Sequence, residues 1–425
     1  MGGVPSPPRG TARKGVIVGT FIHAYRWGWQ IRGDERGYVE KVKQYKAKGI
    51  DFFTLERSPS IQDGIGEGIY TSMKVGNSLL PPDGIGQLLL LSLRSLKAAV
   101  RRYPSRPLAI YAYNQDIENV WTGFLLKILL GAPLVIVYHQ IRPAAFVPFR
   151  KGVADRLRRR FHPARAVLRS LLPALNRYAA THADIHIALS EATRGDIRKY
   201  LGIEECVVIG NGLDTLKFRP LDLPKEYDAV FLGRLAQQKG VDILLQAWKV
   251  VTQQKAGSQL ILLGGGEPED VSVYKRMATN LDLERSVAFA GFVGDEELVR
   301  LLNSSKLFVF PSRQEGFAQA VSQAMGCGLC CILSDIPSLK EIYGAAAAFF
   351  PVNQPDLLAE KIAELLEDDD ERSKLAGRAR PLALGFSWEV TVSRELDQLR
   401  HALAMRKGES KLEGPVPPQT FQAVR

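Results

Sequence analysis

VFLGRLAQQKGVDILLQA, from Val230 to Ala247, reads as a buried strand, a glycine turn carrying two cations, and then a helix. The apolar run stops at Gly233, Arg234 follows at once, Lys239 comes five positions later, and Gly240 precedes the helical stretch. Arg234 offers a planar fork of donors and Lys239 a compact point charge, the two complementary ways of holding a diphosphate. The glycines let backbone N–H groups approach phosphate oxygens, and the helix start adds the positive end of its dipole. Taken alone, a basic pair at a strand-to-helix turn is a solvated loop.

A second turn of the same kind stands further on. FVFPSRQEGFAQAVSQAM, from Phe308 to Met325, places Glu315, Gly316 and Phe317 between a strand and a helix. A carboxylate there can accept hydrogen bonds from sugar hydroxyls, while free N–H groups of the helix start face a phosphate. Short apolar runs alternate with amphipathic stretches on both sides of these turns, the pattern of an α/β chain with parallel sheets covered on both faces. The alternation runs from GVIVGTFI to ADIHIALS, breaks at the proline-containing TLKFRPLDLPKEY, and restarts at YDAVFLGRL.

That break sets the domain organisation: a basic tail over 1–14, a Rossmann-like domain over 15–205, a linker over 206–226 and a second Rossmann-like domain over 227–385. A helix over 386–406 is expected to return toward the first domain, and a polar, proline-rich tail over 407–425 to be disordered. The fold class is α/β: two doubly wound parallel-sheet domains facing a cleft, where such sheets bind ligands outside the carboxyl ends of their strands.

The 425 residues suffice for two such cores, and 46% hydrophobic with 24% charged residues excludes a fully disordered or collagen-like chain. Four cysteines and no apolar leader run suggest a reducing, cytoplasmic setting. The formal charge of +11 is divided unevenly: residues 1–220 hold 33 Lys and Arg against 17 Asp and Glu, leaving 23 against 28 in the remainder. The most apolar stretch, from Val120 to His139, is interrupted by Lys127, Gly131 and Pro133 and reads as helix, turn and strand rather than a spanning helix.

Several nucleotide motifs are absent. LGGGEPED follows a strand, but Glu269 occupies the third-glycine position of a dinucleotide fingerprint, and GRLAQQKG lacks the order of a Walker loop. What remains is an ordered set of blocks: NGLDTLKFRP, GRLAQQKG, LLGGGEPED, VAFAGFV, PSRQEGF and FSWEV. In that order and at that spacing they resemble the retaining glycosyltransferases of family 4, which have the GT-B fold. The likeness covers most of the chain and thins in the first half to the glycine loop near RGDERG and to VYHQ.

The resemblance implies a transferase that moves a sugar from a nucleotide-diphosphate sugar, as donor substrate, to a glycan or lipid-linked acceptor, with retention and without a metal or other cofactor. Arg234 and Lys239 would bind the diphosphate and stabilise the leaving nucleotide, together with Gly233 of the same turn. Glu315 would hold the donor sugar, with Gly316 and Phe317 giving backbone contacts. Gly33 would belong to a loop approaching the phosphates from the first domain. His139 would sit by the transferred sugar; the alternative is a hydrogen-bonded histidine at a strand end. One position departs from the family pattern: its paired glutamates, eight positions apart, read here as Glu315 and Gln323. The second normally accepts both ribose hydroxyls, and an amide there loses charge assistance. That departure motivates the alternative of a non-catalytic nucleotide-sugar-binding or scaffold protein.

Three further features complete the sequence reading. Cys327, Cys330 and Cys331 read as small hydrophobes where a helix meets a buried strand, since no further ligands with metal spacing stand nearby. DDDER, from Asp368 to Arg372, reads as a solvated helix end. From Arg150 to Arg177, nine Arg and Lys face one acid, Asp155, with Phe161 and several leucines among them. That segment is either an anchor on an anionic membrane surface or a solvated helix of the first domain. No nucleic-acid partner is expected, for want of a reader motif.

Overall fold

The computed structural model describes residues 15–21, 33–57, 71–76, 85–102, 107–141 and 163–406. The two expected tails lie outside the described residues, as do positions 142–162, which hold six of the basic segment's nine Arg and Lys. The described residues form two compact units. The first takes the chain up to Ile187, Ile197–Cys206 and the residues from Leu396; the second takes Ala188–Asp196 and Val207–Glu395.

The larger sheet has seven strands, and all but the last of them belong in the main to the first unit. Its strands are β1 (Val16–Phe21), β2 (Asp51–Arg57), β3 (Thr71–Gly76), β4 (Ala109–Ala112), β5 (Leu134–Tyr138), β6 (Ile185–Ala188) and the two-residue β7 (Val207–Val208), in the order β3-β2-β1-β4-β5-β6-β7. Its helices are α1 (Gly33–Ala47), α2 (Ile85–Arg102), α3 (Ile117–Leu130), α4 (Pro163–Thr181) and α5 (Glu191–Leu201). β4 and β5 are buried along their whole length, as expected of parallel strands covered on both faces. The apolar stretch from Val120 to His139 divides into α3 and β5, because Gly131 takes the left-handed conformation (φ 64) and its N–H closes the helix on the Lys127 carbonyl at 2.9 Å. Among the described residues no helix is long and apolar enough to cross a membrane. Strand β3, TSMKVG, carries too little apolar alternation to be read from the sequence and is held by its parallel register on β2.

His186 on β6 is 8% exposed, with Nδ1 3.1 Å from the Tyr138 hydroxyl. Burial pushes its pKa down from about 6.5 to about 4. The folded chain therefore keeps this imidazole neutral over a range where the unfolded chain takes up a proton. Stability should begin to fall as pH drops below about 6.5 and level off below about 4, by about 3 kcal/mol from this group. Urea midpoints measured between pH 7 and pH 4 should shift less in His186→Asn than in the parent; equal shifts would remove His186 as the cause.

The second unit has six parallel strands: β8 (Tyr227–Leu232), β9 (Leu260–Leu263), β10 (Val287–Gly291), β11 (Ser305–Phe310), β12 (Cys330–Ser334) and β13 (Ala348–Phe350), in the order β10-β9-β8-β11-β12-β13. The helices between them are α6 (Val241–Gln254), α7 (Pro268–Asn280), α8 (Asp295–Asn303), α9 (Gln319–Gly326) and α10 (Pro337–Tyr343), and α11 (Pro355–Glu367), α12 (Asp369–Leu384) and α13 (Trp388–Arg406) follow. Trp248 of α6, Phe231 and Phe308 are fully buried at its centre. Cys327, Cys330 and Cys331 are buried; burial pushes the thiols of Cys327 and Cys330 up to about 12. The acidic run from Asp368 opens a further helix rather than closing one. Asp368 caps α12, its Oδ1 accepting from the Glu371 N–H at 2.8 Å, and three more acids occupy the first turn, where the helix dipole favours them.

Two of the six sequence blocks meet here. The Leu213 N–H donates to the Phe386 carbonyl at 2.6 Å, the Trp388 N–H donates back to the Leu213 carbonyl, and the Trp388 ring lies where a Cβ on Gly212 would fall. Arg380 binds the Phe218, Gly326 and Thr215 carbonyls, tying NGLDTLKFRP to the end of α9. The last helix changes allegiance along its length: residues to Glu395 count with the second unit and those from Leu396 with the first, where Arg406 pairs with Asp184 at 2.8 Å.

Candidate active site

Strand order creates a crevice in each sheet. In the second unit β8 lies between β9 and β11, and the chain leaves it in one direction toward β9 and returns on the other side at β11. Loops leaving the carboxyl ends of two such neighbours diverge, and open parallel sheets bind ligands between them. The loop after β8 holds Gly233, Arg234 and Lys239; the loop after β11 holds Glu315, Gly316 and Phe317. Two turns some eighty residues apart in sequence are thus brought side by side.

Their contacts are specific. Lys239 Nζ lies 2.5 Å from Glu315 Oε1, with the lysine side chain 17% and the glutamate 8% exposed. The Ser312 hydroxyl donates to the same Oε1 at 2.6 Å, and the Ser338 hydroxyl holds the Glu315 carbonyl at 2.9 Å. The Lys239 ammonium also stands over the Phe310 ring, 5.3 Å from its centroid. Backbone bonds lace the turns together: Arg313 N–H to Gln238 O at 2.8 Å, and Gln238 Nε2 to Gln314 O at 3.0 Å.

Arg234 differs from Lys239. It is exposed and, among the described residues, has no ion-pair or hydrogen-bond partner, so its full donor set is open to a ligand. Its place is set by its neighbours. The Gly233 N–H donates to Leu263 O at 2.9 Å and the Leu235 N–H to Gly265 O at 2.8 Å. The glycine run after β9 permits this: a Cβ on Gly264, whose φ is 116, would lie 2.2 Å from the Gly233 carbonyl oxygen. LGGGEPED is therefore a packing surface for the Arg234 turn.

Gly316 and Phe317 are buried. The Phe317 ring packs edge-on against Phe386 at 5.4 Å and tilted against Tyr343 at 6.2 Å, so its ring is taken up in packing. Gln323 lies half-buried within α9, and among the described residues nothing bonds to its amide. Ser312, Ser338 and Arg313 belong to this site and are not marked by the sequence alone; PSR adjoining EGF is the only local signal, and Ser338 joins only through folding.

The two candidates in the first unit are placed by that unit alone. Gly33 is the first residue of α1, the helix that follows β1. His139 stands just past β5, its Nε2 2.9 Å from the Tyr113 carbonyl and its ring edge-on to Tyr113 at 4.9 Å. A carbonyl accepts only, so Nε2 carries the proton in that bond. The ring is thereby oriented by the end of β4.

Similarity to known proteins bears on the family and the fold. The family model described as Glycosyl transferases group 1 matches residues 214–381, and that described as Glycosyltransferase Family 4 matches residues 31–217. O-antigen chain mannosyltransferase B of Escherichia coli is 29% identical over 161 residues, covering 38% of this chain and 42% of its own length. The serotype-specific mannosyltransferase WbdA of Escherichia coli is 28% identical over 227 residues, covering 49% of this chain and 28% of its own. The matches thus span less than half the length of these curated relatives. Among solved structures, Anabaena Alr3699/HepE in complex with UDP and glucose superimposes with a TM-score of 0.70 at 20% identity, covering 91% of this chain and 99% of that one, a likeness of fold.

Proposed function

The chain belongs to the family 4-like glycosyltransferases of the GT-B fold, and we propose that it moves a hexosyl group from a nucleoside-diphosphate sugar to an acceptor hydroxyl, with retention of configuration and without a metal ion. The observation that carries this reading is the pairing, at one sheet's switch point, of an open Arg234 with a Lys239–Glu315 pair.

The reaction breaks the bond between the anomeric carbon and the diphosphate, and negative charge grows on the departing phosphate oxygens. Arg234 can take those oxygens with two parallel N–H groups, and Lys239 can stabilise them as a point charge, so the cations stand in for a divalent ion. Glu315, held by Lys239 and Ser312, is acceptor-only and suited to sugar hydroxyls. In the proposed course the acceptor oxygen attacks from the face the diphosphate is leaving, and its proton passes to the leaving phosphate. His139 is proposed to stand by the transferred sugar and Gly33 by the phosphates. The relatives named as mannosyltransferases place mannose first in a donor panel, and a glycan or lipid-linked saccharide is the proposed acceptor.

The test is turnover of a panel of nucleotide sugars followed by mass spectrometry, with the product's anomeric configuration read by NMR. An inverted product would refute retention, and loss of activity in EDTA would refute metal independence. Donor binding without turnover on any acceptor would favour the alternative of a nucleotide-sugar-binding or scaffold protein. Work at the cytoplasmic membrane face, through the basic segment from Arg150 to Arg177, belongs to the same proposal. Flotation with anionic vesicles at low salt, abolished at high salt, is the expected result.

Gln323 supplies a direct check on the ribose contact. An ionised acceptor makes hydrogen bonds about twice as strong as a neutral one, so Gln323→Glu should tighten nucleoside-diphosphate binding by about fivefold. Calorimetry showing unchanged or weaker binding would remove position 323 from the ribose contact.

A further inference from the structure

The short turn that carries Lys239 has only two backbone hydrogen bonds of its own, Lys239 N–H to Ala236 O at 2.9 Å and Gly240 N–H to Gln237 O at 3.1 Å. It is a single 3-10 turn, Gln237–Lys239, with no side-chain cap at its start. Such turns have poor internal geometry and take their position from outside. The Gln238 amide and the Ser312 hydroxyl bond it to the loop of Glu315, and the side chain that reaches it at most points is Arg313, two residues before Glu315. Its Nη1 and Nη2 fork onto the Asp242 carboxylate at 2.8 and 2.7 Å, in the first turn of α6. Nη1 also donates to the Gln237 carbonyl, and Nε donates to Asn353 Oδ1 at 2.7 Å. Asn353 adopts a left-handed conformation, φ 63, which asparagine takes more readily than most residues. Arg313 thus grips the turn from both ends, through Gln237 before Lys239 and Asp242 after it, while its own backbone carries the loop of Glu315.

We propose that Arg313 is the positioning residue that sets Lys239 against Glu315 and so controls how tightly the site takes a diphosphate; this rests on the functional reading above. Arg313 acts through geometry, not through its own charge. The Asp242 carboxylate already neutralises the guanidinium, and the fork consumes the N–H groups that a phosphate would need. A lysine could supply the charge at 313 but could not bond to Asp242, Gln237 and Asn353 together in one plane.

The experiment is a double-mutant cycle read by calorimetry, with UDP and GDP as the probes. Arg313→Gln should weaken nucleoside-diphosphate binding by about tenfold, the lower end of what losing a ligand-orienting partner costs. The same substitution made on top of Lys239→Ala should change affinity by less than about twofold, because the group it positions is gone. Arg313→Lys should bind as weakly as Arg313→Gln. An equal loss with and without Lys239, no loss in either background, or full retention in Arg313→Lys would each overturn the proposal. Should Arg313→Gln not fold by circular dichroism, Asp242→Asn removes the fork's partner at constant shape, and the same outcomes decide. A parent chain that binds neither UDP nor GDP would defeat the functional reading and Arg313's role with it; that result appears before any substitution is made.

Discussion

Lys239→Ala should lower kcat by about 10²–10³-fold, the usual effect of removing one preorganised donor from the charge that develops in a transition state. The structure adds a second consequence. Lys239 is the cation of the Glu315 carboxylate, which is 8% exposed and, among the described residues, retains only the Ser312 hydroxyl when the ammonium is lost. Leaving a largely buried carboxylate without its counter-charge is unfavourable, so the variant should also lose some stability. The pair predicts a distinctive pattern. Glu315→Gln removes the charge but keeps an acceptor for Lys239, and should spare stability more than Lys239→Ala while still impairing turnover. Single-turnover rates with donor in excess, alongside urea unfolding, would check both. Near-parent turnover in Lys239→Ala would exclude Lys239 from the chemistry.

Gly240→Ala should be among the most damaging small substitutions in the second unit. Gly240 has φ 69, and a Cβ there would lie 2.0 Å from the Pro311 carbonyl oxygen, a backbone atom that no rotamer change can move. Strain from a left-handed alanine and the steric conflict add, giving about 2–4 kcal/mol. The conflict would part the turn after β8 from the loop after β11, the two that bring Lys239 to Glu315. Gly257 provides the control. It also has a left-handed φ, 85, but nothing lies within 4 Å of where a Cβ on it would stand, so Gly257→Ala should cost only about 1 kcal/mol. Equal urea midpoints for the two variants would show that the contact with Pro311 carries no weight. Activity should separate them further, with Gly240→Ala losing turnover even below the unfolding transition.

The chemistry-bearing turns are legible in the sequence because their residue types are constrained locally. A strand ending in Gly233, a fork and a point charge at Arg234 and Lys239, and a carboxylate beside Gly316 are all visible within ten residues of one another in each stretch. Elements whose stability comes from neighbours are not legible. β3 pairs with β2 despite its polar sequence. Arg313 shows the same limit within the site. Its sequence neighbours mark it as near the chemistry, but its partners Asp242 and Asn353 lie 71 and 40 positions away.

By itself the sequence determined that the chain alternates strands and helices in two halves, where each half's glycine turns fall, and which cations and carboxylate they carry. Those are consequences of hydrophobic period and backbone permission, which act over a few residues. Only the tertiary structure decided that β8 and β11 are neighbours, placing Lys239 2.5 Å from Glu315 while Arg234 stays open. Strand order is a property of how helices cross the faces of a sheet, and the pairing of charges follows from it, because a contact between distant residues exists only once the backbone between them has been laid down.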